Sequence, residues 1–120
     1  MEKSILIIDD EQEIGEGIKE FFQEKKFTVF VATQGKAGCE FARREKPSLV
    51  LLDMRLPDQD GIRCLQEIRK SCPGTAVIML TAMHDESLAR SALEQGALDY
   101  ITKPFDLVEL HDRWVAPFFS

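Results

Sequence analysis

The sequence predicts a single α/β domain of three layers, in which a five-stranded parallel sheet carries helices on both faces. Five short apolar runs alternate with stretches of helical spacing along the 120 residues. Alternation of this kind is typical of parallel sheets with right-handed crossovers, a doubly wound (βα)5 arrangement. The length and the 44% hydrophobic content suit one core that needs neither a disulfide nor a structural metal. We therefore expect one domain over residues 1–120.

The composition of the apolar runs predicts which strands lie at the centre of the sheet. The runs cover residues 5–8, 27–32, 49–52, 76–80 and 98–101. The first, third and fourth are continuously apolar, which is typical of parallel strands that are covered on both faces. The second and fifth are more mixed, so we expect them to form the two edges.

Apolar residues at helical spacing fill the stretches between the strands. The stripes are Ile14, Ile18, Phe21 and Phe22; Ile62, Leu65 and Ile68; Leu88, Ala92 and Leu93; and Leu107, Leu110 and Trp114. Each stripe gives a helix one apolar face that can lie on a sheet. A weaker pattern predicts a further helix over 37–44. In the last helix Asp106 is the expected N-cap, and Pro117 predicts an end near Ala116.

Composition and charge argue against several classes of function. The net charge is -6, from 21 acidic and 15 basic side chains, which argues against direct nucleic acid binding or attachment to an anionic membrane. No apolar run approaches the roughly 18 residues of a membrane span, and no cleavable signal is recognisable. The three cysteines, Cys39, Cys64 and Cys72, contain no close C-x-x-C pair and predict reduced thiols. We therefore expect a soluble cytoplasmic protein.

Polar side chains follow the predicted strands at one edge of the sheet. Asp9 and Asp10 come after the first strand, Asp53 after the third, Thr81 after the fourth and Lys103 just after the fifth. Ligands of open α/β sheets bind at the carboxyl ends of the strands. A single aspartate there is usually a turn former or a helix cap, and the lysine-proline pair alone is a loop dipeptide whose peptide bond could be cis. Their joint occurrence at one edge predicts a functional site.

This cluster has the chemistry of a magnesium site for phosphoryl transfer. Asp9, Asp10 and Asp53 would repel one another at short range unless a cation neutralises them. Mg²⁺ prefers oxygen ligands, and the cluster offers no Cys or His suited to zinc. A carboxylate can also attack phosphorus to give an aspartyl phosphate when the charge of the moving group is stabilised from several sides. Lys103 and the Thr81 hydroxyl would supply two of those sides.

The same positions carry a resemblance to a known family. They lie in Ile5-Leu6-Ile7-Ile8-Asp9-Asp10-Glu11, Leu52-Asp53-Met54-Arg55-Leu56-Pro57, Asp60-Gly61, Leu80-Thr81-Ala82 and Tyr100-Ile101-Thr102-Lys103-Pro104-Phe105. In order and in spacing these motifs resemble the receiver domain of bacterial two-component response regulators, over nearly the whole chain. The resemblance implies a flavodoxin-like, CheY-like fold and a signalling domain whose only catalysis is its own phosphotransfer and dephosphorylation. The chain could be the N-terminal part of a longer regulator.

The resemblance also implies how the acidic cluster works. Asp53 would accept a phosphoryl group from a sensor histidine kinase, a phosphotransfer protein or a small donor such as acetyl phosphate. Mg²⁺ (or Mn²⁺) would be held by Asp10, Asp53 and the backbone carbonyl of Arg55, with Asp9 helping mainly through a bound water. Lys103 would pair with the phosphoryl oxygens.

A second set of residues would respond to the phosphoryl group. Thr81 would rotate inward to bond a phosphoryl oxygen, and Tyr100 would turn inward with it. Ala82 would leave room for the phosphate. Met83 and Arg55 occupy positions that vary in the family and tune how long the acyl phosphate lasts, and their size and character predict a lifetime that is not among the shortest.

The resemblance places the readout on the face formed by the fourth helix, the fifth strand and the fifth helix. The charged residues expected there are Arg90, Glu94, Asp99, Asp112 and Arg113. These mixed charges could pair across a two-fold axis in a phosphorylation-dependent homodimer, or they could form a solvated surface. An output domain or partner protein would bind this face.

Three other functions compete with this interpretation. A receiver fold that serves as a phosphorylation-independent scaffold would keep the fold without using the acids. A Mg²⁺-dependent phosphatase of the haloacid dehalogenase type would need a second aspartate two residues after Asp53, where Arg55 stands. A flavin binder would need a hydroxyl-rich or glycine-rich phosphate loop after the first strand, where the acidic residues 9–11 stand instead.

Gly61 is the one glycine with open alternatives near the predicted site. It could supply an unusual backbone angle or close packing at the start of the third helix, or it could be a merely tolerated glycine.

Overall fold

Five strands form one parallel sheet in the computed structural model, which describes residues 3–82 and 84–120. They are β1 (Ser4–Ile8), β2 (Thr28–Ala32), β3 (Leu49–Asp53), β4 (Ala76–Thr81) and β5 (Asp99–Thr102). Across the sheet they are ordered β2-β1-β3-β4-β5, and all neighbouring pairs are parallel. The predicted doubly wound α/β domain is confirmed, as is the placing of the second and fifth strands at the edges.

Helices connect the strands. They are α1 (Gln12–Glu24), α2 (Gly35–Glu45), α3 (Gly61–Ser71) and α4 (Glu86–Glu94). After β5 the chain forms α5 (Leu107–Glu109), a π-helical stretch (Leu110–Val115) and α6 (Ala116–Phe119). Within the described ranges, no helix has the length and apolar character needed to cross a membrane.

The C-terminal helical segment, which comprises α5, the π-helical stretch and α6, is longer than predicted. Asp106 caps its start as expected, since its carboxylate accepts two backbone N–H groups of the first turn. The predicted end near Ala116 is wrong, because helical backbone continues to Phe119. Pro117 is tolerated because it lies in the first turn of α6, where a missing N–H costs no hydrogen bond within that helix.

The sheet separates two apolar cores. Because neighbouring side chains of a strand point to opposite faces, Leu6 and Ile8 of β1 lie in one core and Ile5 and Ile7 in the other. Buried side chains of α2, α3 and α4 complete the first core, and those of α1 and the C-terminal helical segment complete the second. The central strands β1, β3 and β4 are buried along nearly their whole length, as predicted.

Strand register brings the predicted site residues to one edge. Ile8 pairs with Leu52, so the aspartates that follow β1 lie beside the end of β3. Leu80 pairs with Asp53, and Thr81 pairs with Thr102 at the end of β5. The carboxyl ends of β1, β3, β4 and β5 therefore converge.

Two of the three cysteines lie against each other in the folded chain. Cys39 of α2 and Cys64 of α3 lie in contact, with Cα atoms 6.4 Å apart, while Cys72 is free and buried. The sequence did not predict this contact, because the absence of a close C-x-x-C pair says nothing about cysteines that are distant in the chain. The two residues are 25 positions apart and meet because α2 packs against α3.

Candidate functional site

Three carboxylates meet at the carboxyl edge of the sheet. One oxygen each from Asp9, Asp10 and Asp53 lie within 4.8 Å of one another. Asp9 and Asp53 are buried, whereas Asp10 is exposed. Backbone N–H groups hold two of them in place: that of Glu11 donates to Asp9 Oδ1 at 2.9 Å, and that of Arg55 donates to Asp53 Oδ1 at 3.1 Å. Each hydrogen bond fixes one carboxylate oxygen and leaves the other directed to the cluster.

Lys103 is the cation of this cluster. Its Nζ atom lies 2.8 Å from Asp9 Oδ2, 3.1 Å from Glu11 Oε1 and 3.2 Å from Asp53 Oδ2. The lysine is held at the end of β5, where its backbone N–H donates to the Thr81 carbonyl, and its bond to Pro104 is cis. Burial lowers the pKa of Lys103, but the close contact with Asp9 and the charges of Asp53 and Asp9 outweigh burial and raise it above its ordinary value.

Asp53 is the acid most strongly affected by its surroundings. Burial raises the pKa of its carboxyl from 3.8 to about 6. The Arg55 backbone N–H and Lys103 oppose this change, while the charge of Asp9 adds to it. In the absence of a metal, one lysine therefore does not fully offset the desolvation and mutual repulsion of these acids.

The donor set fits a hard divalent cation. Asp9 Oδ2 is buried and makes no aligned hydrogen bond, although Lys103 Nζ lies close to it. Buried polar atoms rarely lack an aligned hydrogen-bond partner. Together with the oxygens of Asp10 and Asp53 it offers the ligand type that Mg²⁺ prefers, and a bound ion would relieve the repulsion among the acids.

Removing the Asp53 charge is expected to stabilise the metal-free protein. The folded-state pKa of Asp53 lies above its unfolded value, so stability is lost as pH rises from about 4 to 6. Asp53→Asn should therefore gain about 1 to 3 kcal/mol at pH 7, at about 1.4 kcal/mol per pKa unit, and nothing below pH 4. Urea unfolding in a chelator at both pH values measures this. Glu20→Gln, an exposed change on α1, is the control; an equal gain in both variants would contradict the electrostatic cause.

The residues expected to respond to a phosphoryl group lie around the acids. Thr81 is buried, and its hydroxyl donates to the Ala82 backbone carbonyl at 3.4 Å. Ala82 is exposed, and Tyr100 is half-buried against the core shared by α2, α3 and α4. Met83 lies outside the described residues. Because the Thr81 hydroxyl is bonded to the Ala82 carbonyl, it has to rotate before it can bind a ligand on Asp53.

Gly61 has a steric role that the sequence left open. A Cβ atom here would lie 2.5 Å from the Asp53 carbonyl oxygen, 2.7 Å from Met54 Cα and 2.8 Å from the Met54 carbonyl oxygen. The Gly61 N–H donates to that Met54 oxygen at 2.7 Å. Positive φ among the described glycines occurs at Gly96 and not here. The glycine is therefore required for close packing of α3 against the end of β3.

One contact near the site gave no sequence signal. Arg55 binds Asp85 through two hydrogen bonds, from Nε to Oδ2 at 3.1 Å and from an Nη atom to Oδ1 at 2.9 Å. The two residues are 30 positions apart and belong to different loops. Only the folded chain brings them together, so no spacing rule could have found them.

Of the charged residues predicted on the readout face, Asp99 is engaged within the domain, while Arg90, Glu94, Asp112 and Arg113 are exposed. Asp99 accepts hydrogen bonds from the Trp114 indole at 3.0 Å and from the Tyr100 backbone at 2.7 Å. Asp112 lies 2.8 Å from the His111 ring, and the Arg113 guanidinium lies over the Trp114 ring. Asp99 therefore ties the C-terminal helical segment to β5. Exposed apolar side chains also lie on this face, namely Leu93, Leu98 and Val108.

The fold and the acidic site together define an α/β signalling domain of the receiver type. A family model described as "Response regulator receiver domain" matches residues 5–114. The chain belongs to this family, the receiver domains of two-component response regulators. The resemblance read from the sequence motifs is thus confirmed.

Relatives and solved structures agree with this assignment. The chain is 35% identical over 121 residues to the transcriptional regulatory protein CrdR of Helicobacter pylori, covering 100% of this chain and 56% of that protein. It is 35% identical over 112 residues to sporulation initiation phosphotransferase F of Bacillus subtilis, covering 93% and 90%. A receiver domain protein from Methanospirillum hungatei has a TM-score of 0.92 at 28% identity, covering 99% and 95%. The chain thus spans about half the length of CrdR.

Proposed function

We propose that Asp53 accepts a phosphoryl group from a histidine kinase, a phosphotransfer protein or a small donor, and that the chain thereby switches between two conformations. The observation that carries this proposal is the buried Asp53 carboxylate, set between two further acids and the Lys103 ammonium. Its Oδ2 atom lies 3.2 Å from Lys103 Nζ and is the nucleophile we assign. Attack on phosphorus forms the Asp53 O–P bond as the bond from phosphorus to the donor atom breaks.

Mg²⁺ or Mn²⁺ is the cofactor we assign to this reaction. Asp9, Asp10, Asp53 and the backbone carbonyl of Arg55 would hold it, and when bound it supplies positive charge to the transferring oxygens. Lys103 supplies a second positive charge from the other side. The raised pKa of Asp53 indicates that its negative charge lacks full compensation in the metal-free chain, which favours cation binding.

The switch that we propose uses Thr81 and Tyr100. A phosphoryl group adds about two negative charges and three acceptor oxygens at Asp53. The Thr81 hydroxyl would leave the Ala82 carbonyl to bond one of these oxygens, and Tyr100 would turn into the space that Thr81 vacates. The change would reach an output domain or partner protein through α4, β5 and the C-terminal helical segment.

An apolar groove beside the acidic cluster offers a docking place for the phosphodonor, since Lys103 lines the groove and contacts Asp53. The groove, of about 550 Å³, lies between α1 and the segment after β5 and is lined by Ile14, Ile18, Phe105, Leu107 and Lys103 among others. A helical partner with a complementary apolar face could rest here with its phosphorylated side chain directed to Asp53. We infer that the domain has no substrate other than its phosphodonor and water.

Intact mass spectrometry after incubation with acetyl phosphate and Mg²⁺ tests the proposal. The wild type is expected to gain one phosphoryl group of about 80 Da, and Asp53→Asn or a chelator should abolish the gain. Asp112→Asn, a change at an exposed acid, should gain the group like the wild type. An adduct that persists in Asp53→Asn would assign the acceptor elsewhere. No adduct and no binding of beryllofluoride would favour a phosphorylation-independent scaffold.

A further inference from the structure

The pair of Arg55 and Asp85 joins two loops of the site. Arg55 follows the acceptor Asp53 by two residues, and Asp85 lies immediately before α4, after the loop that begins with Ala82. The paired hydrogen bonds form the fork-like arrangement that makes arginine-carboxylate contacts strong. The Asp85 side chain is only 14% exposed, whereas the Arg55 side chain is 68% exposed, so the contact lies at the surface and depends on its paired geometry.

Asp85 occupies the N-cap position of α4 without capping it. Its side chain makes no hydrogen bond to the helix, although aspartate is among the best residues for that role. The first backbone bond of α4 runs from the Ala89 N–H to the Asp85 carbonyl. The earlier N–H groups, those of Glu86, Ser87 and Leu88, thus lack a partner within the helix. The Asp85 carboxylate could accept hydrogen bonds from these N–H groups or from Arg55, and in this structure it accepts them from Arg55.

The attachment of α4 to the rest of the domain is weak. Its buried side chains are Ala89 and Ala92, which contribute far less apolar area than leucine or isoleucine. Leu88 is 37% exposed and Leu93 is 38% exposed. The helix is preceded by His84 with a φ of 79°, in the left-handed region that non-glycine residues rarely adopt. Polar contacts, rather than apolar packing, therefore hold the start of α4 in position.

We propose that the Asp85 carboxylate binds either the Arg55 guanidinium or the free N–H groups of α4, but not both at once. Its bond to Arg55 holds α4 in the position of the unphosphorylated chain. When Asp85 turns to the helix, the start of α4 is capped and released from the loop that follows β3. The segment from Thr81 to α4 then loses the restraint that keeps it in place.

A phosphoryl group on Asp53 would act on this choice, and this part of the inference rests on the proposed function. Its two negative charges would compete with Asp85 for Arg55, whose backbone N–H already binds the Asp53 carboxylate. Withdrawal of the guanidinium frees Asp85 to cap α4. Arg55 is thus a positioning residue, because it acts on α4 through Asp85.

Hydrogen exchange in the unphosphorylated protein tests the choice of partner. Arg55→Gln leaves Asp85 free to cap α4, and Asp85→Asn keeps a capping side chain but removes the ion pair. Both are expected to slow exchange of the Ser87 and Leu88 amides, by about threefold or more given the usual strength of a cap. Asp85→Ala removes the pair and the cap and should speed exchange. Arg63→Gln, at an exposed pair on α3, should change nothing.

The rate of phosphoryl uptake from acetyl phosphate tests the consequence. Arg55→Gln and Asp85→Asn should each take up the group about threefold faster, and the double variant no faster than either, because both remove one contact. If the wild type takes up no phosphoryl group, the proposed function fails while hydrogen exchange still decides the choice of partner. Unchanged exchange in both single variants, or additive rate effects, would overturn the inference.

Discussion

Substitution of Gly61 by alanine is expected to destabilise the domain by about 3 kcal/mol or more, as overpacking against rigid groups does. The added methyl group would meet backbone atoms of Asp53 and Met54 at 2.5 to 2.8 Å. Backbone at the end of a central strand cannot move aside as a flexible side chain can. The measurement is the free energy of unfolding from urea titration.

A matched alanine substitution separates the clash from any general effect of removing glycine. Gly17 lies inside α1, and a Cβ there would have no neighbour within 4 Å. Gly17→Ala should gain about 0.5 to 1 kcal/mol from helix propensity. Because the Gly61 clash falls on Asp53 itself, any folded fraction of Gly61→Ala should also lose phosphoryl uptake. A stability near wild type in Gly61→Ala would show that the end of β3 is more adaptable than its packing indicates.

Substitution of Lys103 by methionine is expected to cost about 3 kcal/mol at pH 8 in a chelator, because it leaves buried carboxylates without their cation. Asp9 is fully buried and Asp53 nearly so, and both contact the Lys103 ammonium. Without it the pKa of Asp53 would rise further, so the loss should shrink as pH falls toward 4 and that acid becomes protonated. Urea unfolding at pH 8 and pH 4 measures the difference.

Two controls sharpen the lysine experiment. Lys70→Met changes an exposed lysine on α3 and should have little effect at either pH. Added Mg²⁺ should restore more stability to Lys103→Met than to the wild type, since the ion can take over neutralisation of the three acids. A loss that is equal at both pH values would point to lost packing of the lysine side chain.

The division into central and edge strands and the place of the site were accessible to sequence reasoning because both depend on local patterns. Continuous apolar runs marked the central strands, and polar residues marked the ends at which strands 1, 3, 4 and 5 converge. The sequence alone therefore predicted that Asp9, Asp10 and Asp53 lie in one site. Their assigned roles, like those of Thr81 and Tyr100, remain predictions for the experiments above.

Features that depend on contact between distant segments were not accessible. The Cys39–Cys64 contact and the bond between Arg55 and Asp85 follow from how helices and loops pack, and no periodicity records this. The C-terminal helical segment misled the prediction for a different reason. A proline normally ends a regular α-helix. Here Pro117 follows a π-helical stretch and lies in the first turn of α6, where it is tolerated.

The sheet separates the two apolar cores, and among the described residues the buried side chains of α1 lie in one core and those of α4 in the other. Ile18 and Phe22 anchor α1 on one side, and Ala89 and Ala92 anchor α4 on the other. Side chains that adapt one helix to an incoming signal can therefore change without repacking the other. Under the proposed function, in which the donor binds beside α1 and the reader beside α4, such insulation would let the two specificities diverge separately within one small domain.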